Sequence, residues 1–338
     1  MTNNFSLFRL PYVALYEVLD NFGPATILSL SLCSKRAKLI MKNYRGPSKK
    51  VNIAFDIDQC ALKVDHTTLI SVMIVCKHSR SLERVTIGPC RVPVYIRNGI
   101  LKTYWNDEKV GMEAIIKYTL DVFNGKLHSL ISRDSLSSTD LRFWIKWIKK
   151  FQVKIQRMSV LLNTDYQNQL MNSILESDFV TGDLELFSRS LFDLWGPRPD
   201  PRPYSIDFLK VEQSSWVTLD HLLAMDIKRI FLTCAKLTYQ DINVFLKRWI
   251  KGECSKRIKE ISLDIFRGIE VEVLFNNIEV TRRDPNLIRC YVGYKSSEQF
   301  VSGFDIRRES DGAMATIIYM FSGLKVLFWP DNEGNPYH

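Results

Sequence analysis

LPYVALYEVLDNFGPATILSLSLCSKRAKLI, residues 10–40, reads as three short helices in succession. Pro11 suits a first helical turn, where its missing N–H would have lacked a partner in any case. Leu15, Val18, Leu19 and Phe22 follow at i, i+3, i+4 and i+7, which places one apolar stripe along a helix. Gly23-Pro24 stops that helix. A second, over about residues 25–32, carries Ile27, Leu28, Leu30 and Leu32, and Ser34 can cap a third that runs through Arg36, Leu39 and Ile40. Helices this short cannot bury their own apolar faces, so a partner or the following domain must cover them. The stretch is therefore an interaction module or, alternatively, a helical hairpin packed on its own domain.

The chain around it is large enough for a substantial core: of 338 residues, 46% are hydrophobic and 12% aromatic, which allows one large or two to three smaller domains. Net charge is +9, and between Ser34 and Lys50 stand Lys35, Arg36, Lys38, Lys42, Arg45, Lys49 and Lys50 with no acid among them. Such a run can bind phosphate backbones, but no aromatic stacking set or groove-reading motif accompanies it. A solvated helix face is the default, and nucleic acid is not expected as a partner. Seven cysteines, an odd count with no CxxC pair, indicate free thiols in a reducing compartment. Residues 1–34 lack a basic leader segment and carry Glu17 and Asp20, and the longest uncharged runs, 21–34 and 68–76, are too short to cross a bilayer. Asn4-Phe5-Ser6 is a glycosylation sequon in form only. The expectation is a soluble protein of the cytoplasm or nucleus, with no membrane partner.

Beyond residue 50 the pattern alternates. VNIAFDIDQCALKV predicts a strand, Thr67-Thr68 with Leu69, Val72, Met73 and Cys76 a helix, and residues 82–87 another strand. Phe55-x-Ile57-x-x-Cys60-x-Leu62 matches the core of a leucine-rich repeat, and Val85-x-Ile87-x-x-Cys90-x-Val92 repeats it. Looser versions continue at Met158-x-Val160-x-x-Asn163, Leu184-x-Leu186 with Leu191, Leu209-x-Val211 with Trp216, Ile230-x-Leu232 with Leu237, and Ile261-x-Leu263. Helical stripes lie between them: Met112, Ile116, Thr119, Leu120 and Phe123; Leu141, Trp144, Ile145 and Ile148; Leu219, Leu222 and Leu223; Ile242, Phe245, Leu246 and Trp249. Ser137 with Asp140 and Thr238 with Asp241 resemble capping boxes in which Asp replaces the usual Glu or Gln. Alternating strand and amphipathic helix predicts an α/β fold: an irregular leucine-rich-repeat-like stack, with some other irregular α/β domain as the alternative. WGPRPDPRPY, residues 195–204, has proline at alternate positions from 197 to 203 and is expected to be an extended connecting loop.

Past about Gly268 the helical period fades. Residues 271–274, 289–294, 304–307, 314–320 and 324–329 are expected as strands, with Asp311-Gly312 as a turn, forming a small antiparallel end-piece. The resulting domain expectation is a helical module at 1–45, a repeat-like α/β region at 46–204, a C-terminal domain at 205–330 and a tail at 331–338.

Two stretches also carry a family resemblance. Leu10-Pro11, Val18-Leu19, Phe22, Ile27-Leu28 and Cys33-Ser34-Lys35-Arg36 stand at the spacing of an F-box, with Ala37 where many F-boxes have Trp and Tyr12-Val13 where acidic residues are common. DHLLAMDIKRIFLTCAKLTYQDINVFLKRWIKG, followed by GFDIRR and DGAMAT, is similar to the type 2 F-box-associated domain of the expanded nematode F-box families. The resemblance implies a substrate-recognition adaptor of an SCF-type, cullin-RING ubiquitin ligase. Its N-terminal helices would dock on a Skp-type adaptor through Leu10, Pro11, Leu15, Val18, Leu19, Phe22, Leu28 and Cys33, and its C-terminal α/β region would bind a protein substrate that the sequence does not identify. The alternative function is a leucine-rich-repeat-like interaction scaffold outside any ligase.

Signs of catalysis are weak. The chain has no G-x-G-x-x-G, Walker loop, H-E-x-x-H or G-x-S-x-G. Asp56 and Asp58 sit on one face of a strand, the ordinary place for a solvated pair. The five histidines, His66, His78, His128, His221 and His338, show no ligand spacing, and Cys60, Cys90 and Cys234 fall where repeat cysteines pack. No enzyme activity, cofactor or metal is expected.

Overall fold

The computed structural model describes residues 7–44, 51–76, 79, 81–133, 138–162, 174–175, 178–188, 200–265, 270–286, 288–293 and 297–330. They divide into two compact units. One comprises residues 1–136 with 144–155, the other residues 137–143 with 156–338.

The first unit begins with the expected helices: α1 (Tyr12–Asp20), α2 (Pro24–Ser31) and α3 (Lys35–Tyr44). Its sheet departs from a regular repeat. β1 (Ile53–Asp56), β2 (Ala61–Val64) and β3 (Thr67–Ile74) form an antiparallel meander; β6 (Ile100–Trp105) joins β3 in parallel, and β5 (Cys90–Arg97) and β4 (Arg84–Ile87) continue antiparallel to the edge. The two best matches to the repeat core, residues 55–62 and 85–92, are thus hairpins. Their reversals are set by positive φ, +44° at Cys60 and +59° at Gly88. The helix expected at residues 67–76 is strand β3. Its Leu69, Ile70, Ser71 and Val72 are buried in succession, because the strand is covered on both faces, and such a run shows no period of two. β-branched Thr67, Thr68, Ile70, Val72 and Ile74 favour the extended form. On the other side of β1, β7 (Leu127–Ser132) pairs in parallel, and α4 (Glu108–Val122) buries Met112, Ile115, Ile116 and Thr119. Asp107 caps α4 by accepting from the Val110 N–H at 2.9 Å.

The second unit contains a run of parallel strands joined by helices, short of a confirmed leucine-rich-repeat stack. β8 (Ile155–Leu162) neighbours β9 (Val180–Ser188), and β9, β10 (Phe208–Val211), β11 (Arg229–Leu232) and β12 (Glu260–Asp264) run parallel. Leu184, Leu209, Ile230 and Ile261 stand in register, as do Leu186, Val211, Leu232 and Leu263, and all eight are buried. Asn163 and Leu191, also assigned to the repeat, lie outside the described residues, as do Ser137, residues 195–199 of the proline-rich stretch and the tail. Helices α6 (Leu219–Ala224) and α7 (Tyr239–Ile250) make the crossovers. α5 (Ser138–Ile148) also forms where its stripe predicted it. α7 buries Ile242, Phe245, Leu246 and Trp249, and its capping box closes as expected: Asp241 N–H donates to Thr238 Oγ1 at 3.1 Å and Thr238 N–H to Asp241 Oδ2 at 2.8 Å.

Residues 271–274, expected as a strand, are the short helix α8 (Val271–Leu274). Buried Asn243 on α7 donates to the carbonyls of Leu274 and Asn276 at 2.8 and 3.0 Å, which favours the helical turn. The antiparallel end-piece is present. β16 (Phe304–Arg307), β17 (Met314–Met320) and β18 (Gly323–Trp329) pair in sequence, and β18 lies antiparallel to β12, closing the parallel ladder. β13 (Thr281–Arg282) pairs with β16, and the hairpin of β14 (Arg289–Val292) and β15 (Ser297–Phe300) packs Tyr291 and Phe300 against Trp329. At the β16–β17 turn Gly312 has φ +71°, and Arg308 donates twice to Asp311 at 2.8 Å.

Candidate docking site at the N-terminal helices

Pro11 precedes α1, and the buried residues of the helix are Leu15 and Leu19. Ile27 and Leu28 of α2 and Ala37, Met41 and Tyr44 of α3 are buried as well, and α2 packs on α3. Two devices fix the angles between the helices. Ser34 Oγ accepts from the Ala37 N–H at 3.0 Å, capping α3, and Tyr44 Oη donates to Asp20 Oδ1 at 2.5 Å, tying the end of α3 to the end of α1. The Tyr16 ring lies 5.4 Å from that of Tyr44 and 6.0 Å from that of Tyr12.

α2 and α3 are seated on the rest of their unit rather than standing free. Tyr118 of α4 donates to the Ser31 carbonyl at 3.0 Å. Asp121 of α4 accepts from Lys38 at 2.5 Å and Lys42 at 2.6 Å, and these hydrogen bonds, Lys38 first, hold its carboxyl below the usual carboxylate range. Ala37, fully buried, leaves no side chain beyond Cβ to intrude where the helices meet. A Trp there would have to displace packed neighbours.

The eight residues expected to touch an adaptor therefore fall into three groups. Leu15, Leu19 and Leu28 are buried within the module; Leu10, Val18 and Phe22 are half-buried; Pro11 and Cys33 are exposed. Sequence reasoning passed over the most outward apolar residues, Tyr12 and Val13, which are 70% and 78% exposed at the start of α1, and Leu39 of α3, 59% exposed. The signal was available: these are large apolar residues off the buried stripe. At the start of α3, Lys35 and Arg36 stand exposed with no acid in the first turn, an arrangement the helix dipole disfavours by about 0.3–1 kcal/mol per charge.

A model of the F-box domain matches residues 7–47, and a model described as F-box associated matches residues 203–263. The chain carries both an F-box and an F-box-associated domain. The F-box is thus the three-helix module just described, and the match to the F-box-associated domain spans β10 to β12 with α6 and α7. The pair supports a substrate-adaptor role in ubiquitin ligase complexes. Among relatives, the Caenorhabditis elegans protein named Skn-1 dependent zygotic transcript 15 protein is 22% identical over 335 residues, 93% of each chain. From the same organism, E3 ubiquitin-protein ligase hecw-1 is 21% identical over 283 residues, which span 76% of this F-box chain and 22% of that protein. No solved structure matches the chain.

Several of the residues weighed for catalysis have structural surroundings. Asp56 pairs with Lys63 at 2.6 Å, and Asp58 accepts from Ser132 Oγ at 3.2 Å and from the Arg133 N–H. Burial, with the hydrogen bond and charge of Glu108 behind it, pushes the Cys60 thiol up to about 12, and burial also raises Cys234, the opposite of an activated nucleophile. His221 Nδ1 accepts from the Thr218 N–H at 3.2 Å, so this buried histidine closes a capping box on α6. Among the described residues no three His, Cys, Asp or Glu side chains gather as a metal site, and no helix is long and apolar enough to cross a membrane.

Proposed function

We propose that the chain is the substrate-recognition subunit of an SCF-type ligase, docking on a Skp-type adaptor through the outer face of its F-box. One observation carries the reading: at the start of α1, exposed Pro11, Tyr12 and Val13 form an apolar patch on a module whose inner faces are already covered. Leu10, Val18, Phe22 and Cys33 extend the contact surface, while Leu15, Leu19 and Leu28 act beneath it by holding the helices in place. The C-terminal region, residues 205–330, presents the substrate. The reaction advances by proximity: holding a substrate lysine beside a charged conjugating enzyme raises its effective concentration, and no group of this chain touches the reacting atoms.

Co-purification with a Skp-type adaptor tests the proposal. Replacing Leu10 and Pro11 by Ala, or Val13 by Lys, should abolish capture while circular dichroism and melting stay near those of the unaltered chain. Undiminished capture by both variants would return α1 to a purely structural role and favour an interaction scaffold without a ligase, a reading that the seating of α2 and α3 on α4 also accommodates.

A further inference from the structure

The first unit contains a groove of about 950 Å³. One wall is the end of α2 and the start of α3; the other is the corner of the sheet made by β4, β5 and β6. Half-buried Leu30 and Leu32 and 56%-exposed Ile96 give it an apolar lining. Lys35, Arg84 and Arg91 also line it, and none of the ion pairs among the described residues engages them. A fourth cation, Lys38, is held by Asp121, and Glu83 is the single acid of the lining. β4 is the last strand of its sheet, so among the described residues one side of its backbone has no strand neighbour.

We propose that this groove docks an extended acidic and apolar peptide segment of a partner protein, in which Glu or Asp alternates with aliphatic residues and the backbone adds alongside β4. Each feature selects part of that chemistry. An open strand edge accepts an extended backbone, alternate side chains of an added strand point to opposite sides, and the cations favour carboxylates. Leu30 and Ile96 offer nothing to a phosphate backbone, which sets this site apart from a general anion patch. The inference stands on the groove and does not depend on adaptor docking at α1.

The test uses the full chain and a fluorescein-labelled peptide of about twelve residues alternating Glu with Val, long enough to span a short strand. Anisotropy should show saturable binding, weakened about tenfold or more in Arg84→Glu/Arg91→Glu, with adaptor capture unchanged in that variant. A benzophenone-bearing version of the peptide should crosslink the unaltered chain within residues 30–35 and 84–96, a readout that needs no substitution to fold. Equal binding of a peptide with Lys in place of Glu, no effect of the arginine reversals, or crosslinks elsewhere would overturn the proposal. So would tighter binding of a single-stranded oligonucleotide.

Discussion

Asp121 receives both Lys38 and Lys42, so the seating of α3 on α4 depends on its charge. With its folded-state pKa held below the ordinary 3.8, it contributes stability at pH values above that, and the contribution disappears as pH falls through the depressed value. Asp121→Asn should therefore lower stability at neutral pH, by less than about 1 kcal/mol because the pair is partly solvated, and the gap to the unaltered chain should narrow in acid, below the ordinary 3.8. Urea titrations at the two pH values measure it; a gap that widens in acid would contradict the pairing. Gly323 poses a steric case. A Cβ there would stand 1.9 Å from the Leu263 carbonyl oxygen, so Gly323→Ala must part β18 from β12 and should cost about 1–3 kcal/mol by denaturant unfolding.

Among the elements, α7 is the best specified from sequence: its cap, its stripe and its length all agree, and the structure realises each. Thr238→Ala should cost about 1 kcal/mol through the lost cap, and Trp249→Ala, which empties a buried site beside Phe328, about 3–5 kcal/mol. Thermal melts would rank the two, and a cap that matters more than the tryptophan would mean that α7 is held by its end rather than its face. Strand β3 and helix α8 show where local reading fails. Residues 69–76 fit a helical spacing by coincidence because a strand buried on both faces is apolar at consecutive positions, and periodicity cannot separate the two. Residues 271–274 carry β-branched Val271 and Val273 with apolar Leu274, yet the carbonyls at their end and just beyond are claimed by Asn243, a contact 31 residues away that no local window contains.

At the scale of the whole molecule, the F-box is part of its unit and not an appendage. Tyr118 and Asp121 bind α2 and α3, so a chain beginning at residue 51 would expose the faces those helices cover. Such a truncation should bind a hydrophobic dye such as anilinonaphthalene sulfonate more strongly than the full chain and melt earlier, whereas the Val13→Lys chain should do neither. Equal dye binding by the full and truncated chains would show that the helices are dispensable to the fold. Point substitutions on α1 are thus the cleaner test of docking.

The sequence by itself determined the three N-terminal helices, the strands of the β9–β12 ladder and the helices between them, because these rest on signals within a few residues: Pro at a helix start, Ser34 or Thr238 at a cap, alternate buried aliphatics along a strand. It also placed Leu10, Pro11 and Phe22 in an F-box. Only the tertiary structure decided that residues 55–62 and 85–92 turn back as hairpins, that Leu15, Leu19 and Leu28 are covered while Tyr12 and Val13 are not, and that Leu30, Arg84 and Ile96 share a groove. The physical reason is common to all three. Which face of an apolar segment meets water depends on what packs against it from distant parts of the chain, and strand partners are chosen by that same long-range burial.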